Sequence, residues 1–277
     1  MEPPLSELFD LASRTHVGAV RAENEDHCAT FYGEQYAGLL VADGVSGLNG
    51  GAAASRIAVE TTLQVFHAEP ASLRPDKRLY RAAQRANLAV HDASLAVPEL
   101  HGMATTLTAV VLTAHALFAT HIGDCRLYLL RAGSFRQLSK DHTVSAERVR
   151  LGVLSESRAQ HHPGRSTLTR GLGRELIARF DQFSARLMKD DVLMVCSDGV
   201  HGLLNNSEMA ALCLASSASE ACERLIEAAN ERGAPDNVTT AVARVTGAVS
   251  QNDADSSRLF GALGALARAL GRGGSSA

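Results

Sequence analysis

Five short acidic clusters recur along this chain of 277 residues, and each sets a carboxylate where an apolar run gives way to a turn. They are Arg21-Ala-Glu-Asn24-Glu25-Asp26, Val41-Ala-Asp43-Gly44, Ile122-Gly-Asp124-Cys125-Arg126, Cys196-Ser-Asp198-Gly199 and Gly233-Ala-Pro-Asp236-Asn237. An isolated Asp-Gly step is a common turn dipeptide, so Asp43-Gly44 or Asp198-Gly199 alone would carry little. Their shared setting carries more. Leu39-Leu-Val-Ala42 and Val192-Leu-Met-Val-Cys196 read as buried strands ending near an acid, and Asp236-Asn237 stands just ahead of the β-branched run that begins at Val238. A buried strand that delivers a carboxylate to a rim is a rigid mount for a ligand. Carboxylates without a cluster of Cys or His suit hard divalent cations such as Mg²⁺ or Mn²⁺, which is the pattern of a metal-dependent hydrolase.

Composition narrows the class. A chain of this length with 45% hydrophobic residues can bury a sizeable core as one domain. A formal net charge of −3 and no basic stripe give no footprint for nucleic acid. The start lacks a basic region followed by an apolar one, and no apolar run approaches the ~20 residues that span a bilayer. Five cysteines without paired spacing fit a reducing cytoplasm. Helical periodicity marks residues 50–67, 76–95, 207–213 and 219–232. Residues 105–112, 116–122 and 126–130 read as consecutive strands with short links, which favours antiparallel pairing.

In this order the motifs resemble those of the metal-dependent serine/threonine protein phosphatases, the type 2C family. The resemblance rests on Arg21-x-x-Asn24-Glu25-Asp26, Asp43-Gly44, Gly102-Met-Ala-Thr-Thr106, Gly123-Asp124-Cys-Arg126, Ser197-Asp198-Gly199 and Asp236-Asn237-Val, and runs from about residue 15 to about residue 245. Lys140-Asp-His142-Thr and His162-Pro163 followed by Leu168-Thr-Arg170 are similar to the bacterial branch. Where bacterial members usually read Asp-Gly-Met-Gly-Gly, this chain has Asp43-Gly44-Val45-Ser46-Gly47. Many eukaryotic members carry a His at the position of Val45, so any proton donor here must come from elsewhere.

The resemblance implies a four-layer α/β/β/α sandwich of two mainly antiparallel sheets flanked by helices, with a binuclear metal site between the sheets. It implies two core Mn²⁺ or Mg²⁺ ions held by Glu25, Asp43, the Gly44 carbonyl, Asp198 and Asp236, with Asp26 and Asn237 orienting these ligands. Asp124 would serve a third ion and share Asp198; its other reading is a plain Gly-Asp turn between two strands. The chemistry implied is direct hydrolysis of phosphoserine or phosphothreonine by water activated between the two ions. Arg21 would bind the phosphate as a two-pronged donor. The partners implied are phosphorylated proteins and an opposing Ser/Thr kinase, with a monomeric, cytoplasmic enzyme.

Residues 141–170 resemble the substrate-covering flap of bacterial members, with a short helix over 144–151. Because a serine alkoxide is a poor leaving group, His162 is the histidine expected to donate a proton. His142 reads as a turn cap, His161 as a solvated neighbour, and His16, His27 and His121 as packing near the site. The domain division expected is an N-terminal extension over 1–12, the catalytic domain over 13–246, and a tail over 247–277. In that tail Leu259, Leu263, Leu266 and Leu270 recur at helical spacing beside arginines, a pattern suited to touching a membrane or a partner. Cys28 and Cys196 lie two residues from acidic ligands, which raises a redox reading beside the plainer one of packing. Two other functions share these features: a phosphatase-fold docking module, and a metallohydrolase of small phosphoesters or diesters.

Overall fold

The computed structural model describes residues 4–45, 50–159 and 161–247. The tail after residue 247 and the segment holding Ser46 and Gly47 lie outside the described residues. In chain order the elements are α1 (Leu5–Leu8), β1 (Phe9–His16), β2 (Asp26–Tyr32), β3 (Ala37–Val45), α2 (Gly51–Ala68) and α3 (Pro75–Ala96). Next come β4 (Ala104–Thr105), β5 (Leu107–Leu112), β6 (Ala116–Ile122), β7 (Arg126–Arg131) and β8 (Ser134–Gln137). The flap region carries α4 (Val144–Arg150) and α5 (Glu156–Ala159). β9 (Asp181–Arg186), β10 (Val192–Cys196), α6 (Asp198–His201), α7 (Asn206–Cys213), α8 (Ala218–Glu231) and β11 (Val238–Val245) complete the chain.

Two antiparallel sheets result, one ordered β1-β11-β10-β7-β8 and the other β2-β3-β5-β6-β9 with β4 beside β3. Side-chain alternation along each strand decides what lies between them. Leu39, Val41, Val110 and Leu117 of one sheet meet Leu127, Leu193, Val195 and Ala241 of the other in a shared apolar layer. The intervening Leu40, Ala42, Ala109 and Val111 pack under α2 and α3. Met194, Cys196 and Val242 pack under α7 and α8. This is the α/β/β/α sandwich, and it follows from strands apolar on both faces.

The same alternation turns polar at one end of the inter-sheet layer. Asp26, Thr106, Thr108, His121, Ser197 and Thr239 are all buried there. Asp43 continues the parity of Leu39 and Val41, so it points between the sheets.

Two expectations about organisation change. The first residues are not an extension: Leu5, Leu8 and Phe9 are core residues, and β1 pairs with β11 along its whole length, Phe9 opposite Val245 to His16 opposite Val238. Without β1 the first sheet would lose an edge strand and its cover. The strands flanking Gly123-Asp124-Cys125 also do not pair with each other. β6 pairs with β5 and β9, whereas β7 pairs with β10 and β8, so this tripeptide carries the chain from one sheet to the other. Gly123 takes φ +107°, a conformation that disfavours a side chain.

Candidate active site

Asp43 does not sit in a turn. It lies within β3, directly opposite Asp26 of β2. Its carbonyl accepts from the Thr106 N–H (2.9 Å) and the Thr105 hydroxyl (2.8 Å), and its N–H donates to Thr106 Oγ1 (2.8 Å). The Ala-Thr-Thr motif is thus a backbone clamp on Asp43. Asp198 is likewise no turn residue, for it opens α6 immediately after Ser197.

The glycines of both Asp-Gly steps serve close approach. A Cβ on Gly44 would stand 2.3 Å from the Gly51 carbonyl oxygen and 2.6 Å from that of Glu25. A Cβ on Gly199 would stand 1.9 Å from the Asn237 carbonyl oxygen. Lacking side chains, these two positions let the Glu25 segment press onto Asp43 and the Asn237 segment onto Asp198. The Gly44 N–H donates to the Glu25 carbonyl at 3.1 Å, and the Glu25 carboxyl rests against Gly51 at the start of α2.

Asn237 fastens the loop that carries Arg21 and Glu25. Its Nδ2 donates to the carbonyls of Val17 and Glu23, both at 2.9 Å, and its Oδ1 accepts from the Glu25 N–H at 2.8 Å. Every polar atom of this buried amide is used, so the contact specifies one loop position. Asp26 is joined to the other sheet through Ser197, whose hydroxyl donates to Asp26 Oδ2 (2.8 Å) and accepts from the Thr239 N–H (3.1 Å).

The carboxylates act on one another's charge. Burial, then the neighbouring Asp26, Asp198, Asp124 and Asp236, pushes Asp43 well above the usual carboxylate range. Burial pushes Asp26 up to about 7, and Asp198 up to about 6 with Asp236 as the next cause. Asp124 is raised well above its usual value, first by burial and then by Asp198 and Asp141. Asp43 and Asp198 keep an edge open to solvent, while Asp26 and Asp124 are buried. The donor set is therefore oxygen only, repulsive and partly open, which fits a hard divalent cation better than it fits an inert turn cluster. Among the described residues no three Asp, Glu, His or Cys side chains close on one point. Asp236 turns its Oδ2 to Arg21 Nη2 at 2.9 Å, so Arg21 pairs with Asp236 rather than with Glu23 or Glu25.

His162 stands differently from the expectation. Its Nε2 faces Arg148 Nη1 at 2.7 Å, and its Nδ1 accepts from the Gly164 N–H at 2.9 Å. Both ring nitrogens are thus engaged within the flap, at Arg148 and at Gly164. The thiol reading also loses support. Four of the five cysteines are buried, Cys196 points under the helices, and burial pushes the thiols of Cys28, Cys125 and Cys196 up in pKa. A protonated thiol is a poor nucleophile and metal ligand.

Several residues at the site carried no functional reading in the sequence. Arg126 forks onto Asp141, with Nη2 to Oδ2 at 2.7 Å, and so ties the start of the flap to β7. His201 is half-buried and its Nε2 lies 3.0 Å from the Asp124 carbonyl. The charge of Arg165 in the flap pulls the pKa of Asp198 down against the effect of burial, which places a flap guanidinium near the cluster. His142 does cap a turn. Its Nδ1 accepts from the Gly123 N–H (3.1 Å), so the proton sits on Nε2, which faces Asp181 Oδ2 at 3.3 Å. That pairing, with Arg170 beside it, holds Asp181 down at about 2. The ring lies 4.9 Å from that of His121, whose nitrogens meet Thr108 Oγ1 and the Lys140 carbonyl. Replacing His142 with alanine strands the Gly123 N–H at the sheet crossover. We expect a loss of about 2 kcal/mol in stability by denaturant titration, with a drop in turnover larger than that in β1 or α8 surface variants. Unchanged stability and turnover would remove His142 from the support of Asp124.

The profile described as protein phosphatase 2C matches residues 14–243. The serine/threonine phosphatase stp of Listeria welshimeri is 32% identical over 231 residues, which cover 82% of this chain and 92% of that protein. The serine/threonine protein phosphatase PstP of Mycobacterium tuberculosis is 35% identical over 238 residues, 84% of this chain and 44% of PstP. The crystal structure of the catalytic domain of PstP in complex with two manganese ions superposes with a TM-score of 0.76 at 30% identity, covering 87% of this chain and 99% of that one.

Proposed function

Because the chain belongs to the protein phosphatase 2C family, we infer that it hydrolyses phosphoserine and phosphothreonine in proteins with the help of divalent cations. One observation carries the reading: five aspartates from separate strands and loops converge on the polar end of the inter-sheet layer, where their charges oppose one another. Glu25, Asp43, the Gly44 carbonyl, Asp198 and Asp236 would hold two Mn²⁺ or Mg²⁺ ions, and Asp124 a third. Bound there, the cations supply the positive charge that makes water more acidic and neutralises phosphoryl oxygens.

The protein's own residues do the rest. Asp26, through Ser197, and Asn237, through the Glu25 N–H, keep the ligand-bearing segments in register. Arg21 stands at the rim with about half of its side chain exposed, so its remaining N–H donors can meet two phosphoryl oxygens at once. Arg165 brings a second guanidinium from the flap. Among the described residues no helix is long and apolar enough to cross a membrane. We place the enzyme in the cytoplasm, a reading supported by five unpaired cysteines, and opposite a Ser/Thr kinase.

Phosphate release from a phosphothreonine peptide in Mn²⁺, with EDTA as control and a phosphodiester as competing substrate, tests the assignment. Preference for the diester, or full activity in EDTA, would overturn it. Arg21→Ala is expected to raise KM about tenfold with a smaller change in kcat. A change confined to kcat would move Arg21 away from ground-state phosphate binding.

A further inference from the structure

A cavity of about 310 Å³ lies beside the flap, separate from the carboxylate cluster, and its charged lining is Arg170, Arg174, Arg179 and Glu175. Arg170 spends Nη1 on Asp181 at 3.0 Å, so its charge is largely matched. Arg174 and Arg179 then face a single carboxylate. Arg174 uses one nitrogen on the Leu168 carbonyl (3.1 Å), and Arg179 has no acceptor among the described residues. The wall is fixed in advance. Asn87 of α3 donates to the carbonyls of Glu175 (2.9 Å) and Leu176 (3.2 Å) and accepts from the Gly173 N–H (2.8 Å), while Gln84 donates to the Ala178 carbonyl (3.0 Å). With the loop's carbonyls taken up by α3, few backbone acceptors remain to quench the guanidinium donors. The stem of Arg174 lies across Gly171, where an added Cβ would come within 3.3 Å of it.

Ile122 also lines the cavity, and it stands two residues before Asp124, a span of about 7 Å. Ile122 packs on the α2/α3 side of its sheet while the aspartates face the inter-sheet layer, so a peptide with its phosphoresidue at the cluster reaches this cavity by passing the sheet edge at Gly123. We propose that the cavity is a second anion site that binds a phosphoryl dianion, presented by another phosphoresidue of the substrate or as free phosphate. Guanidinium forks are suited to that group, and two of them here have donors to spare. The proposal builds on the phosphatase reading, so its test has an arm that does not need turnover.

In the first arm, kcat/KM is measured for a monophosphorylated phosphothreonine peptide and for the same peptide with a non-hydrolysable phosphonate residue three positions to either side. The wild type should prefer one of the doubly charged peptides about tenfold, and Arg174→Ala/Arg179→Ala should lose that preference while keeping its rate on the single one. Arg179→Gln alone, which leaves the Leu168 contact intact, should lose part of it. In the second arm, the stoichiometry of inorganic phosphate is measured by equilibrium binding to the full chain in Mg²⁺, and the double variant should bind one phosphate fewer. Preference without a stoichiometric change identifies the substrate's second phosphate as the ligand, and the reverse identifies free phosphate. Absence of both effects overturns the proposal. A wild type inactive on every peptide would overturn the phosphatase reading instead, leaving the stoichiometry to decide the cavity.

Discussion

Replacing Asp43 or Asp198 with asparagine is expected to lower kcat/KM on a phosphothreonine peptide by a factor on the order of 10³, and to raise the melting temperature of the EDTA-treated protein by a few degrees. The two effects have opposite signs because the same charge serves both. Asp43 and Asp198 are pushed above the usual carboxylate range by burial and by neighbouring aspartates, so ionising them costs folding free energy. Asparagine keeps the shape, removes the charge and leaves one neutral oxygen for a cation. Function is retained at the expense of stability, as active sites commonly require. An asparagine variant that kept its turnover would remove these residues from the metal site. One that lost stability in EDTA would show that the carboxylates hold the fold together instead.

The second large effect is a pH dependence of stability that metal changes. Asp26 and Asp198 bind protons more tightly in the folded state, at about 7 and about 6, than the 3.8 of an unperturbed aspartate. Between about pH 4 and pH 7 the native chain thus holds more protons than the unfolded one, and its stability falls as pH rises. His121, which is buried, and the half-buried His201 work the other way. Both are depressed to about 4 from 6.5, so they add stability as pH climbs through that interval, and their slope fades only about a unit above it. The carboxylate effect is therefore read as the difference between the profiles in EDTA and in Mn²⁺, from which the histidine contribution cancels. Between about pH 4 and about pH 8 the melting temperature in EDTA should fall progressively further below that in Mn²⁺, since cation binding requires ionised ligands. A difference that does not widen with pH would remove these aspartates from the metal site.

Which residues share the inter-sheet face is legible in part from alternation along the strands. Alternation along Leu39 to Asp43 puts the acid on the face of Leu39 and Val41, and the structure keeps it there. The same alternation misleads at Cys196 and Asp198, because the chain leaves the strand and enters α6 between them. The Asp-Gly dipeptides resembled turns because a turn and a close backbone approach both demand glycine. Only the 1.9 Å and 2.3 Å clashes that a Cβ would make separate the two causes.

What the sequence determined by itself is the helices α2, α3, α4, α7 and α8, the strands β3, β5, β6, β7, β10 and β11, the carboxylates near strand ends, and the family to which their order belongs. Those are local or ordered patterns, carried by periodicity and by residue type. The pairing of β1 with β11, the crossover at Gly123, the clamp of Thr105 and Thr106 on Asp43, and the occupation of His162 by Arg148 and Gly164 were decided only by tertiary structure. Each depends on residues brought together across sheets, or within a flap whose polar sequence has no period. A single chain states which groups are present; long-range packing decides which of them face one another.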